Sequence, residues 1–596
     1  MIYLDTETYE FNEKDGRWYP VLDARKFALG YAETDEDVGK FFTDRNKMYD
    51  WVIHKIKANA KRKKRTFIYG HHMEYDWYAI AQEHLLEKEM KYIVFFPFIG
   101  IYEDKGYFLD SMAFWKMSLA EVGEILGFEK LKMPESVGHL DELKEYLKRD
   151  VQIVRKAMEK IKEDIKKLGF NPRKLMTAGQ LAITSFMTFC KRENLNWEFT
   201  ELVETGFGYK QLQVIKPKRP KLLREAFRGG DNRAFQLGKH ENCTLIDANG
   251  LYTYVMKDLM EFPDLRSESF SKNPSVGLLE EYIKNEIGVA RVTMIAEGIE
   301  FPYIPIRYTK YQIFPRSGKM RGTWTFTELK KAIELGYKIE NVEWCMRWQK
   351  AKVNPLSEFV KELYELEKQD KEGYGRVIKL IRNNLFGKFS QYKTNKDYEI
   401  VERWKVQDYI ENGYESTTTL GNKYIMVKEN DAYDPSYTNA IISIQITALA
   451  RLYMYEQMDK IPVEDLLYTD TDSIMFKGNH IDKFPIGKEL GEFKIVSKGT
   501  AKILGEKRYY IDEDVKISGI SKRDIKKEII EHELDVVTKK MVGLQKGIYE
   551  GKMDLVGGFE EEIQEMKPHN KLMLVIPDEL DEVKVELYDK SITSEM

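Results

Sequence analysis

The chain has 596 residues, too many for one ordinary domain, and its 43% apolar content can fill several cores. A formal net charge of only −4 excludes a globally basic nucleic-acid coat, so any polyanion must be met by local positive charge. Three widely spaced cysteines, Cys190, Cys243 and Cys345, argue against a disulfide framework or a cysteine zinc site and fit a reducing cytoplasm; no apolar run approaches the length that crosses a membrane.

Residue 2 already opens a strand pattern, so no signal peptide is expected. Ile2–Leu4, Thr66–Tyr69, Tyr92–Phe96 and Tyr107–Leu109 read as strands, and apolar Leu143, Leu147, Val151 and Val154 predict an amphipathic helix over Asp141–Leu168. This is an α/β pattern with carboxylates at element ends. Asp5 and Glu7 share one side of their strand, because side chains alternate. Asp76 closes His71-His72-Met73-Glu74-Tyr75-Asp76, and Tyr146 and Asp150 share a helix face. Four carboxylates and a tyrosine can hold two metal ions and orient a water for in-line attack on a phosphodiester. His71 and His72 read as polar loop residues beside such a site, since no Cys or His partner follows at ligand spacing. The basic run Lys55, Lys57, Lys61, Arg62, Lys63, Lys64 and Arg65, and a second of Lys216, Lys218, Arg219, Lys221 and Arg224, are candidates for local positive charge, although a lone charge run is more often a solvated helix face or linker.

A helix over Thr177–Arg192 precedes a proline-broken basic boundary at Lys216–Lys221. In Phe227-Arg228-Gly229-Gly230 the paired glycines permit close backbone approach. A strand then ends at Asp247, with Tyr252 five residues on, where a ring beneath a nucleotide sugar would exclude a 2′-hydroxyl. Mixed α/β sequence leads to helices over Pro355–Asp370 and Glu372–Lys388. Lys368, Lys371, Gly375 and Lys379 are expected near one helical face suited to a triphosphate, with Asn383, Phe386 and Gly387 continuing by helical turns. The polar, strand-like segment 391–431 and a helix over Ser436–Met458 lead to Tyr468-Thr469-Asp470-Thr471-Asp472-Ser473. Apolar runs on either side make this a β-hairpin with carboxylates at its tip. Asp247 and Asp472, with Asp470 adjacent, form a second candidate centre for Mg²⁺ or Mn²⁺. Lys507 and Tyr509 can hold a primer phosphate. Beyond about residue 525 the sequence reads as a terminal subdomain, acidic at Glu560-Glu561-Glu562 and around Asp578, Glu579, Asp581 and Glu582.

These motifs, in this order, resemble those of family B DNA polymerases, and most closely the protein-primed branch of bacteriophages with linear genomes, over nearly the whole chain. Asp5-Thr6-Glu7, His72…Tyr75-Asp76 and Tyr146…Asp150 match the three exonuclease motifs, and Ser118-Leu119 resembles the motif that holds a single-stranded 3′ end. Phe227–Gly230 resembles the linking motif, Asp247–Tyr252 motif A, Lys379–Gly387 motif B, Tyr468–Ser473 motif C with Thr471 on the DNA side, and Lys507-Arg508-Tyr509 the primer-binding motif. The resemblance implies a ribonuclease H-like 3′→5′ exonuclease domain (1–185), palm (186–256 and 437–530), a first insertion (257–354), fingers (355–390), a second insertion (391–436) and thumb (531–596).

It further implies a DNA-dependent polymerase with proofreading, processive and strand-displacing, a monomer using two Mg²⁺ or Mn²⁺ ions per centre. Its substrates would be template-primer DNA and dNTPs, its primer a terminal protein, and its place the cytoplasm of an infected or host prokaryotic cell. A primer-independent polymerase of a mobile element is the alternative. A scaffold descended from a polymerase would have no need of the carboxylates, and a nuclease alone leaves Lys379–Gly387 and Tyr468–Ser473 unexplained. His72 stands where Asn is usual, Phe227 and Phe386 where Tyr is, Gly250 and Asn384 where Ser is, and Thr253 where Pro is.

Overall fold

The computed structural model describes residues 1–566 and 568, apart from 9–10, 15–16, 21–22, 37–38, 96, 135–139, 171–174, 196–198, 205–209, 309–310, 370–374, 393–395, 421–422, 430–433 and 521–524. Phe96, Lys371 and the acidic stretch at 578–582 therefore lie outside the described residues, as does the end of the expected thumb.

The first domain is built on a seven-stranded sheet in the order Lys40–Phe42, Phe27–Thr34, Ile2–Thr8, Thr66–Gly70, Gly106–Asp110, Phe98–Tyr102, Met90–Phe95. Ile2–Thr8, Thr66–Gly70 and Gly106–Asp110 run parallel, so their C-terminal ends gather at one edge. That topology collects Asp5, Glu7, Asp110 and, one short turn after Gly70, Asp76. The helix Leu140–Lys167 buries Leu143, Leu147, Val151 and Val154 and brings Tyr146 and Asp150 to the same edge.

The second large sheet also has seven strands, all antiparallel to their neighbours: Asn232–Ala234, Leu466–Asp470, Ser473–Lys477, Gly238–Ala248, Phe493–Gly505, Arg508–Ile511, Asp514–Ile517. The hairpin expected at motif C supplies its second and third strands, beside the central strand Gly238–Ala248. The helix behind it, Ala440–Met458, is apolar nearly all round and mostly buried. It starts at Ala440 rather than Ser436, because Asn439 caps it by accepting from the Ile441 amide and a turn from Pro435 to Thr438 precedes it.

The segment 257–354 carries a four-stranded sheet with helices Val276–Asn285 and Phe326–Glu334. Two helices, Pro355–Gln369 and Gly375–Phe389, follow where the fingers are expected. The polar segment that follows is a three-stranded sheet of Lys396–Glu402, Lys423–Glu429 and Glu415–Leu420. Near the C-terminus, Val536–Met541 pairs with Phe559–Gln564 beside the helix Leu544–Glu550. These last two units share a core with the first domain: Ile425, Leu544, Ile548 and Val556 belong to one apolar cluster with Ala24, Trp77 and Tyr78. The Leu544 amide donates to the Tyr78 hydroxyl (2.6 Å), and Thr417 Oγ1 donates to the Ile548 carbonyl (2.5 Å).

Candidate active sites

At the first centre the backbone amide and hydroxyl of Thr6 both donate to Asp76 Oδ1, at 3.0 and 2.8 Å. They hold that carboxylate beside Asp5. Burial, then the charge of Asp5, drives the Asp76 carboxyl well above its ordinary range, and Glu7 rises for the same two reasons. Asp150 is held up at about 7, first by burial and then by Asp5. Like charges packed at one edge resist ionising together. Lys130, which sequence reasoning missed, offsets them: its ammonium pairs with Asp150 Oδ2 and lies 4.6 Å from the Tyr146 ring centre. Burial opposes the charge of Lys130, but Asp150, Tyr146 and Asp5 outweigh it and raise its pKa. The other oxygen, Asp150 Oδ1, is buried without a hydrogen-bond partner. An acceptor-only oxygen in that position fits a hard divalent cation.

His72 adopts a left-handed backbone (φ 64°) at the start of the helix Met73–Ala81, and its amide donates to Asp110 Oδ1 (3.1 Å). Asn, Asp and His are the side chains that tolerate this region best, which accounts for His where Asn is usual. His71 is a satisfied interior residue, bonded to Ser111 Oγ and the Met117 carbonyl. Burial, then His72, pulls its pKa down to about 4, so the ring is neutral. Ser118 caps the helix Leu119–Ile125 in a capping box with Glu121, and Leu119 packs into the core.

At the second centre the Ala248 amide donates to the Asp472 carbonyl (2.7 Å), locking the strand of Asp247 to the hairpin tip. Asp247 pairs in register with Ser473. Burial and then the Asp247 carboxylate raise Asp472 to about 6. Thr471 turns with φ 62°, and its amide donates to the Asp231 carbonyl (2.6 Å). A Cβ on Gly230 would stand 2.7 Å from Thr471 Oγ1, so the second glycine of the linking motif is required by that approach. Lys494 Nζ lies 2.6 Å from Asp247 Oδ1, and Lys507 Nζ lies 3.7 Å from Asp470 Oδ1. Gly250 takes φ 56° to open the short helix bearing Tyr252, which explains glycine there. The rings of Tyr252 and Phe386 pack against each other, tilted by 32°, with centres 4.2 Å apart.

A cavity of about 1140 Å³ joins these groups: Asp247, Tyr252 and Asp472 on one side, Lys368, Lys379, Asn383 and Phe386 on the other. Among the described residues no three His, Cys, Asp or Glu side chains close into a ready-made metal cage; instead, each centre sets a lysine against its carboxylates.

Three expectations are corrected. Lys368 and Lys379 do not share a helical face. They sit on the two successive helices Pro355–Gln369 and Gly375–Phe389 and both line the cavity. Arg228 is no DNA contact: it is buried, donates to the Thr323 carbonyl (2.7 Å) and packs on Trp324. Tyr509 is likewise buried against Tyr468, while Lys507 and Arg508 stay partly exposed. Phe227 packs at the edge of the core, and Gly229 and Gly387 have room around them. Arg451 also escaped the sequence reading. It donates to the carbonyls of Arg228 (3.1 Å) and Gly229 (2.6 Å) and pairs with buried Glu328 (2.7 Å).

An exonuclease-type α/β domain followed by palm, fingers and thumb is the architecture of a polymerizing right hand. The family model for DNA polymerase type B, organellar and viral, matches residues 126–463, and the chain belongs to that family. It is 24% identical over 349 residues to a probable DNA polymerase of Agaricus bitorquis, across 52% of this chain and 42% of that protein. It is 27% identical over 315 residues to the primer-independent DNA polymerase PolB of Escherichia coli, across 46% and 35%. The matched regions thus span less than half the length of these relatives. In fold it is similar to Phi29 DNA polymerase complexed with primer-template DNA, with a TM-score of 0.68 at 17% identity, covering 95% of this chain and 99% of that one.

Proposed function

We propose that the chain is a DNA-dependent DNA polymerase with a 3′→5′ exonuclease, acting on template-primer DNA and deoxynucleoside triphosphates. The observation that carries this reading is the tie between Ala248 and Asp472, which brings Asp247 and Asp472 together facing Lys379 and Asn383 across one cavity. Asp247 and Asp472 would hold divalent ions at the synthetic centre, and Asp5, Glu7, Asp76 and Asp150 at the exonuclease centre. Mg²⁺ or Mn²⁺ bound there would stabilise the attacking and leaving oxygens of a phosphoryl displacement. Lys368 and Lys379 neutralise the triphosphate, and Lys507 reaches the primer backbone. Tyr252 and Phe386 present ring faces to the nascent base pair. Tyr146 and Lys130 flank the phosphodiester to be cut.

We further propose that the chain starts synthesis from a terminal protein, works as a monomer in the cytoplasm of a prokaryotic host and displaces the strand ahead. The contacts of the second insertion with thumb and first domain support a closed path for template. Similarity to a relative named primer-independent favours a second reading, in which synthesis starts without protein. Two assays test these readings. Extension on a singly primed circle should give products longer than the circle; arrest at the primer's 5′ end would refute strand displacement. Synthesis by the chain alone on an unprimed circle would establish the second reading.

A further inference from the structure

The cavity between fingers and palm has one wall that does not suit a triphosphate. The loop before the strand Phe493–Gly505 places Glu489 in it, among the cations of the fingers. Its carboxylate accepts a hydrogen bond from the Tyr364 hydroxyl and lies 3.7 Å from Lys368 Nζ. Lys368 and Lys257 both lie over the Tyr364 ring, at 4.4 and 5.6 Å from its centre, so Glu489 faces a small cationic, aromatic socket. A carboxylate on an ammonium and a phenol hydroxyl makes the contacts that a phosphate oxygen would make. The socket sits near the C-terminal end of Pro355–Gln369, the first fingers helix, whereas Glu489 belongs to the palm, so the contact also ties fingers to palm.

We infer that Glu489 competes with the incoming triphosphate for Lys368 and Tyr364, and so sets the affinity of the polymerase for nucleotide. This rests on the proposed polymerase reading. When a nucleotide enters, its phosphate oxygens take over Lys368 and the Tyr364 hydroxyl, and Glu489 turns to water, in which it is already largely immersed. Removing the carboxylate leaves Lys368 with the more distant Glu365 (3.9 Å), so the nucleotide has one fewer anion to displace.

The test is single-nucleotide insertion by the full chain carrying Glu489→Gln, with equilibrium titration of a fluorescent deoxynucleoside triphosphate in Ca²⁺ as a second readout. KM and the titrated Kd are expected to fall together by about twofold to fivefold, the factor an exposed ion pair is worth. Tyr364→Phe removes a partner that both anions share and should shift both readouts by less than Glu489→Gln does. In a Lys368→Ala background the Glu489→Gln effect should shrink, because the shared cation is gone. Exonuclease rate on a single strand should hold in Glu489→Gln, because Glu489 pairs with Tyr364 and Lys368 and not with that centre's carboxylates. An unchanged or raised Kd in Glu489→Gln overturns the inference. Failure of the unaltered chain to insert any nucleotide would refute the polymerase reading instead, and the titration would still decide the role of Glu489.

Discussion

Lys494 stands opposite Asp247 in the antiparallel register of their strands, and its ammonium lies 2.6 Å from the Asp247 carboxylate. A metal ion bound by Asp247 would therefore compete with Lys494 for the same oxygen. Lys494→Gln is expected to lower the Mn²⁺ concentration for half-saturation by about twofold to fivefold, since the pair is partly exposed. Spin-resonance titration of bound Mn²⁺ checks this; weaker binding would show that Lys494 supports the site instead.

The two carboxylate centres are separate in space and should fail separately. Asp472→Asn is expected to reduce primer extension on the order of a hundredfold or more while single-strand exonuclease persists. The double change Asp5→Ala with Glu7→Ala should do the reverse. Near-normal extension by Asp472→Asn would disprove the two-centre model.

The raised carboxyls tie stability to pH and to metal. Asp150 is held at about 7 and Asp472 at about 6, against about 3.9 in an unfolded chain. Between those values the folded chain binds more protons than the unfolded one, so these groups lower stability as pH rises from about 4 to about 7. A divalent ion offsets the charge then exposed. Adding Mg²⁺ to chelator-treated protein should raise Tm more at about pH 8 than at about pH 5.5. Equal shifts in a thermal melt at both pH values would count against metal binding by these groups.

The Tyr252 and Phe386 rings lie against each other at the cavity wall, where the proposed reading puts the sugar and base of the incoming nucleotide. Tyr252→Val should raise ribonucleotide insertion relative to deoxyribonucleotide by about tenfold or more, because the ring that blocks a 2′-hydroxyl is gone. Competition between the two nucleotides on one template reads this directly.

Arg451 and Glu328 are a fully buried ion pair, and Arg451 also holds the Arg228 and Gly229 carbonyls. Arg451→Met strands a buried carboxylate and should destabilise the fold by about 3–5 kcal/mol. Pairing it with Glu328→Leu should recover much of that loss in denaturant melts, since no lone charge remains. The linking loop would still lack its anchor, and with it the support of Thr471 through Asp231.

Local pattern determined much of this protein. Alternation placed Asp5 and Glu7 together, helical spacing paired Tyr146 with Asp150, and apolar runs around an acidic turn defined the Asp470–Asp472 hairpin. Those features depend on residues a few positions apart, whose geometry the backbone period sets. The strand Phe27–Thr34 was harder to read, because its burial on both faces leaves no alternation. Only the tertiary structure decided which charges meet. Lys130 reaches Asp150, Lys494 reaches Asp247, Glu489 reaches Lys368 and Arg451 reaches Glu328 because sheet order and helix packing bring together segments far apart in the chain. The same long-range packing turned Arg228 inward, since its guanidinium finds a carbonyl partner at Thr323, far away in the chain.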